Sequence, residues 1–193
     1  MDFFLSLNPD CEIHSFEPNK RLYENLKARF HSKKNVKIYN LEISDASGER
    51  IFHENRLDMI SSFEQINFNS KYVDKKAFIL GLRLPKLILR SYPVEVISLS
   101  SFITQIKLTR DIDIIKIDTE GHEYYCLSGL FSECLSIKIN HIQPEQHFND
   151  QYQNSIGFKH VHVHRILKSN GFYLQKKITN CYGDFNEFIY SSL

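Results

Sequence analysis

The densest chemistry in the chain is the run Asp118-Thr119-Glu120-Gly121-His122-Glu123. Three carboxylates, an imidazole and a glycine follow directly on Asp111-Ile112-Asp113-Ile114-Ile115-Lys116-Ile117, a stretch rich in isoleucine without clean alternation. Such a stretch reads as a parallel strand covered on both faces. In open α/β sheets, ligands sit at the carboxyl ends of strands, where the chain turns into the next helix. Carboxylates and an imidazole at that point can take a proton or orient a hydroxyl. A helix start whose acids complement the helix dipole has the same composition, and spacing alone leaves both readings open.

Two other acids stand at comparable positions. Residues Cys11 to Phe16 alternate as a strand and end in Phe16-Glu17-Pro18-Asn19. Ile137 to Ile142 reads as another strand and ends in Gln143-Pro144-Glu145-Gln146-His147.

The elements that must carry these residues follow from periodicity. Leu22, Leu26 and Phe30 recur at helical spacing after Asn19, a residue suited to cap a helix. Val36 to Leu41 is a second strand, so the first 41 residues make a β-α-β unit, whose parallel pairing requires a crossover helix. Asp45-Ala46-Ser47-Gly48 turns into a strand from Arg50 to His53. Residues 54–92 are a variable insertion, with one helix covering the site and Leu80 to Arg90 packed on its own domain. Further on come a strand from Val94 to Leu99, a short helix to Gln105, and the opening strand. A helix from Tyr124 to Leu130 follows. His160 to Ser169 is a helix stopped by Asn170-Gly171, and Phe172 to Lys176 and Glu187 to Ser191 form a terminal pair of strands. One α/β domain, residues 1–193, accounts for the whole pattern.

Composition narrows the partners. At 193 residues, 42% hydrophobic and 24% charged, the chain supports one globular domain with a real core. Twenty-four basic residues against 23 acidic give a net charge of +1, which argues against a field-driven nucleic-acid binder. The apolar stretch Ala77 to Leu89 is broken by Gly81, Arg83, Pro85 and Lys86 and cannot cross a bilayer. The amino terminus lacks a basic segment and a long apolar run, so no secretory signal is expected. Cys11, Cys126, Cys134 and Cys181 show no paired spacing and read as buried reduced thiols of a cytoplasmic protein. His160, His162 and His164 alternate with valines, but on a helix only two of them share a face, so they are not expected to hold a metal. Asp111-Ile112-Asp113 has the form of a glycosyltransferase metal motif, yet precedes a strand where that motif ends one.

Taken with Asn40-Leu41-Glu42-Ile43-Ser44-Asp45 and Ser169-Asn170-Gly171-Phe172, the segments Phe16-Glu17-Pro18-Asn19, Val94 to Phe102 and Ile114 to Glu123 resemble the FkbM family of methyltransferases in order and spacing. The similarity covers most of the chain outside residues 54–92. It implies a class I methyltransferase fold, a Rossmann-like and mostly parallel sheet flanked by helices. It also implies S-adenosylmethionine as cofactor and a hydroxyl acceptor on a sugar or small metabolite. Carried over by position, Glu17, with Pro18 beside it, receives the cofactor's ribose hydroxyls. Leu41, Glu42 and Asp45 lie near the adenine. Asp118 stands beside the methyl group and the acceptor. Asp118 or His122 is then the general base, and Glu120 or Glu145 orients the acceptor. A metal held by Asp118, Glu120 and Glu145 is conceivable, since oxygen ligands suit Mg²⁺, but none is expected.

The chain departs from the family pattern at two points. Glu42 stands where the family usually has a small residue. The family also opens with a strand and a glycine-rich loop, whereas the first glycine here is Gly48. The resemblance therefore implies a domain truncated at its amino terminus, with weak or no activity in residues 1–193 alone. The alternative is a non-catalytic remnant or interaction module of the same fold. Glycan, lipid-linked sugar and small metabolite all remain open as acceptors.

Overall fold

In the computed structural model, residues 1–56, 61–79, 81, 87–147, 150, 152–153, 160–179 and 185–192 are described. The chain opens with Asp2–Leu7 (α1), Ile13–Phe16 (β1), Lys20–Arg29 (α2) and Val36–Tyr39 (β2). It continues through Glu42–Ser44 (β3), Gly48–Asn55 (β4), Lys71–Ile79 (α3), Ile88–Ser98 (β5) and Leu99–Gln105 (α4). Ile112–Ile117 (β6), Glu123–Leu130 (α5), Ile139–His147 (β7), His160–Ser169 (α6), Phe172–Thr179 (β8) and Phe185–Ser192 (β9) complete it.

The β1-α2-β2 unit forms as its sequence requires. The Asn19 side chain accepts from the backbone N–H of Arg21 at 3.0 Å and of Leu22 at 3.4 Å, capping α2. Lys27 and Arg29 sit in its last turn, where the helix dipole favours cations. β1 and β2 then pair in parallel, Ile13 opposite Val36 and Phe16 opposite Tyr39. Phe102 of α4 packs edge-on against the rings of His14, Phe16 and Tyr39, fastening this unit to the core.

The class is α/β, but among the described residues the strands form three sheets where one mostly parallel sheet was expected. Their orders are β1-β2, β3-β5-β4 and β6-β7-β9-β8. Parallel pairing joins β1 to β2, β3 to β5 and β6 to β7; the remaining pairs are antiparallel. Among the described residues no ladder joins β1 to β6, although an ion pair from Glu12 to Arg110 links the residues just before them. Up to Lys116, β6 is half-buried except for the exposed Asp113, where covered faces were expected.

β4 and β5 are longer than the sequence pattern predicts, pairing from Gly48–Val96 out to Asn55–Ile88. Both ends of the variable insertion are therefore strand. β5 contains Pro93, which has no N–H to donate. Its partner is Ile51, and on the other edge β3 reaches only Val96 to Ser98, so no ladder on that side is interrupted. Inside the insertion, α3 buries Val73 and Ala77 against Ile66 and Leu87 as a small separate core. Leu82 to Lys86 lie outside the described residues.

The main core lies where α5 and α6 cover the four-stranded sheet. Leu127, Ile142, Val163, Leu167 and Tyr190 are completely shielded there. Val163 and Leu167 are four residues apart on α6, the spacing that brings both to one face. His162 packs edge-on to the Tyr124 ring, and His164 Nδ1 lies 3.2 Å from the Tyr190 hydroxyl, so these two have separate neighbours. Of the cysteines, Cys126 is buried, Cys11 half-buried and Cys134 exposed. Cys134 corrects the expectation, because it lies beyond α5 where the chain leaves the core. Cys181 lies outside the described residues. Among those residues, no helix is long and apolar enough to cross a membrane.

Candidate active site

β6 ends at Ile117, and the acid run forms the turn between it and α5. Glu120 takes a left-handed backbone conformation, φ 51°, followed by Gly121 at 96°. Two consecutive residues in this region reverse the chain sharply, and for glutamate the conformation is strained. Glu123 holds the turn closed. It is buried, and its Oε1 accepts from Thr119 N at 3.2 Å, Thr119 Oγ1 at 3.2 Å and Gly121 N at 3.1 Å. Of the acids in the run, Glu123 is thus the brace, and Asp118, 47% exposed, is the one open to an incoming ligand.

The insertion lies over the same turn. Ser62 is bridged to His53 on β4, and its hydroxyl donates to the carbonyl of Glu120 at 2.7 Å. Tyr152 donates to Glu120 Oε2 at 2.7 Å, and its ring is so close to Gly121 that a Cβ there would meet it at 2.9 Å. Segment 61–66 rather than α3 is the covering piece.

His122, 1% exposed, turns away from the acids. Its Nε2 lies 3.0 Å from Ser44 Oγ, and its Nδ1 lies 3.0 Å from Glu64 Oε1. The Tyr125 ring stacks on it at 4.7 Å. Serine, histidine and glutamate in this order have the hydrogen-bond pattern of a hydrolytic triad. Ser44 is fully buried, however, so no substrate reaches its oxygen. Ser44 also donates to Asp45 Oδ1 at 3.1 Å, and Asp45 pairs with Arg50. The whole chain of contacts ties β3, α5 and the insertion together.

Lys116 was not singled out from the sequence, although period two puts it on the same face of β6 as Asp118. Its Nζ stands 2.7 Å from Glu187 Oε1, 3.4 Å from Glu145 Oε2 and 3.8 Å from Asp118 Oδ2. Burial lowers the pKa of this ammonium, but Asp118, Glu187 and Glu145 outweigh it and raise the pKa overall. Asp118, Glu120 and Glu145 come together, with ligand oxygens within 4.8 Å of one another.

The residues expected on the cofactor side sit nearby. Glu17, at the end of β1, accepts from Asn19 N at 2.8 Å, and its carbonyl accepts from Asn40 Nδ2 at 2.9 Å. Pro18 is buried and its carbonyl takes the same amide at 3.2 Å. Leu41 is half-buried against the main core. Glu42 is 8% exposed on β3. Burial pushes its carboxyl up to about 8; the Ile43 amide pulls against this, and Glu17, Glu123 and Asp118 push it further.

The outlying motif is settled by one bond. Asp111 accepts from Lys138 N at 2.8 Å, anchoring the start of β7 at the end of β6 remote from Asp118.

The fold and site define a mixed α/β protein with a carboxylate-rich turn at a strand tip. A family profile described as the methyltransferase FkbM domain matches residues 1–174, and the chain belongs to the FkbM methyltransferase family. No curated protein and no solved structure matches it.

Proposed function

We propose that the protein is an S-adenosylmethionine-dependent O-methyltransferase, acting on a hydroxyl of a sugar or small metabolite. The observation that carries this reading is the carboxylate cluster at the tip of β6, where Asp118, Glu120 and Glu145 bring oxygens within 4.8 Å of one another, in a chain whose β1 likewise ends in an acid, Glu17. On this reading, β1-β2 and β6-β7-β9-β8 are the two wings of one Rossmann-like sheet, with ligands at their carboxyl ends.

The residues present fit such a cofactor. Several carboxylates favour a cationic ligand, and Glu17 has the acceptor oxygens that ribose hydroxyls need. The Asn19 amide nitrogen, fully buried two residues on, has no hydrogen-bond partner among the described residues. Leu41 supplies an apolar flank for the adenine, with Glu42 and Asp45 beside it. S-adenosylmethionine, when bound, supplies the electrophilic methyl group.

The protein's part is alignment and proton removal. Asp118 is the exposed acid at the strand tip, and we assign it the role of general base toward the acceptor hydroxyl. Glu120 and Glu145 orient the acceptor, Glu120 with its carboxylate steadied by Tyr152. His122 has both ring nitrogens engaged and little exposure, so its part is to hold the turn in place. Alignment contributes several kcal/mol and a base about 10²–10⁴-fold in rate.

The test is a tritiated-methyl transfer screen over glycans, lipid-linked sugars and small alcohols, with Asp118→Asn as control. Transfer to one class, lost in the variant, supports the proposal. Cofactor binding without transfer to any acceptor favours a non-catalytic remnant of the fold.

A further inference from the structure

The acid cluster raises the question of what balances its charge. Asp118, Glu120 and Glu145 each offer an oxygen within 4.8 Å of the others, a spacing at which carboxylates share a divalent cation. Glu187 adds another charge, because the β7–β9 register sets it directly opposite Glu145. Like charges opposite each other in a sheet destabilise it unless a counter-charge lies between.

Lys116 is that counter-charge. Adjacent strands β6, β7 and β9 each project one charged residue to the same face, and the ammonium of Lys116 spans both glutamates, at 2.7 Å and 3.4 Å. Asp118, two residues further along β6, is 3.8 Å away.

We propose that the Lys116 ammonium, held by Glu187, is the resident cation of this cluster, positioning Asp118 and Glu145 and keeping a divalent metal off their oxygens. A lysine that is only 27% exposed is better held when paired, and the carboxylates of Asp118, Glu145 and Glu187 supply the pairing. The net upward shift of its pKa is consistent with an ammonium that stays charged. A divalent ion bridging Asp118 and Glu145 would sit against this ammonium and be repelled by it. The lysine is thus a positioning residue, acting on the substrate through Asp118.

The test needs neither cofactor nor acceptor, so its outcome is separate from that of the methyltransferase assignment. Mn²⁺ is titrated into the protein, and free Mn²⁺ is followed by electron paramagnetic resonance. The wild type and Lys116→Arg are expected to show no saturable site. Lys116→Met gains one site at least about ten-fold tighter than any wild-type binding, and adding Asp118→Asn removes it. Lys116→Gln, whose amide still donates to Glu187, serves where the methionine variant does not fold. A stoichiometric wild-type Mn²⁺ site that Asp118→Asn abolishes would overturn the proposal. So would a folded neutral variant that gains no site.

Discussion

Nδ1 of His122 lies 3.0 Å from Oε1 of Glu64, a contact between residues 58 positions apart in the chain. It joins the start of α5 to the insertion, and through Nε2 the same ring reaches Ser44 on β3. The acid turn is therefore held from outside the sheet as well as from within.

Replacing His122 by alanine leaves a cavity and removes a partner from both Ser44 and Glu64. The expected loss is about 2–4 kcal/mol, read as a lower urea midpoint with the slope unchanged. An unchanged midpoint would show that the ring is not what binds the insertion down.

Glu42 makes stability depend on pH. Its carboxyl is pushed from 4.5 to about 8 in the folded protein, so between those values the folded state keeps a proton that the unfolded chain releases. The contribution is fully present below about 4.5 and is lost as pH rises through about 8. Melting temperatures of the ligand-free protein should therefore fall from pH 6 to about pH 8 and level off above it, beyond any trend from other groups. Glu42→Gln should flatten that fall. A parallel decline in the variant would rule out Glu42 as its source.

Two glycines admit a direct steric test. A Cβ on Gly129 would stand 2.0 Å from the carbonyl oxygen of Ser44, backbone that cannot swing aside. A Cβ on Gly121 would meet only the Tyr152 ring at 2.9 Å, but at φ 96°. Gly129→Ala should thus unfold the protein or cost more than about 3 kcal/mol. Gly121→Ala should cost less, about 1–2 kcal/mol from backbone strain, and should loosen Tyr152. Chemical denaturation of both variants ranks them, and the reverse order would refute this packing of α5 on β3.

Much of the frame was legible because it rests on local signals. The periodicity of Leu22, Leu26 and Phe30, the Asn19 cap, and the Asn170-Gly171 stop all correspond to observed elements. The β-branched run before Asp118 is β6. Long-range relationships were not legible. Nothing local to Ser44, Glu64 or Tyr152 signals that they meet the turn after β6, since they come from β3, the insertion and the segment after β7, and the insertion that carries Glu64 has no period of its own. Glu187 was hidden for a similar reason, being opposite Glu145 only through the β7–β9 register. Lys116 was within reach, two residues before Asp118 on one strand.

The central claim is a cofactor site with Glu17 at its centre. Calorimetric titration of S-adenosylmethionine into the protein and into Glu17→Ala tests it most directly. The account predicts one saturable site in the wild type and an affinity at least about ten-fold weaker in the variant, the loss of charged hydrogen bonds to the ribose. A folded wild-type protein that binds no S-adenosylmethionine, or a variant that binds it equally well, would contradict the account.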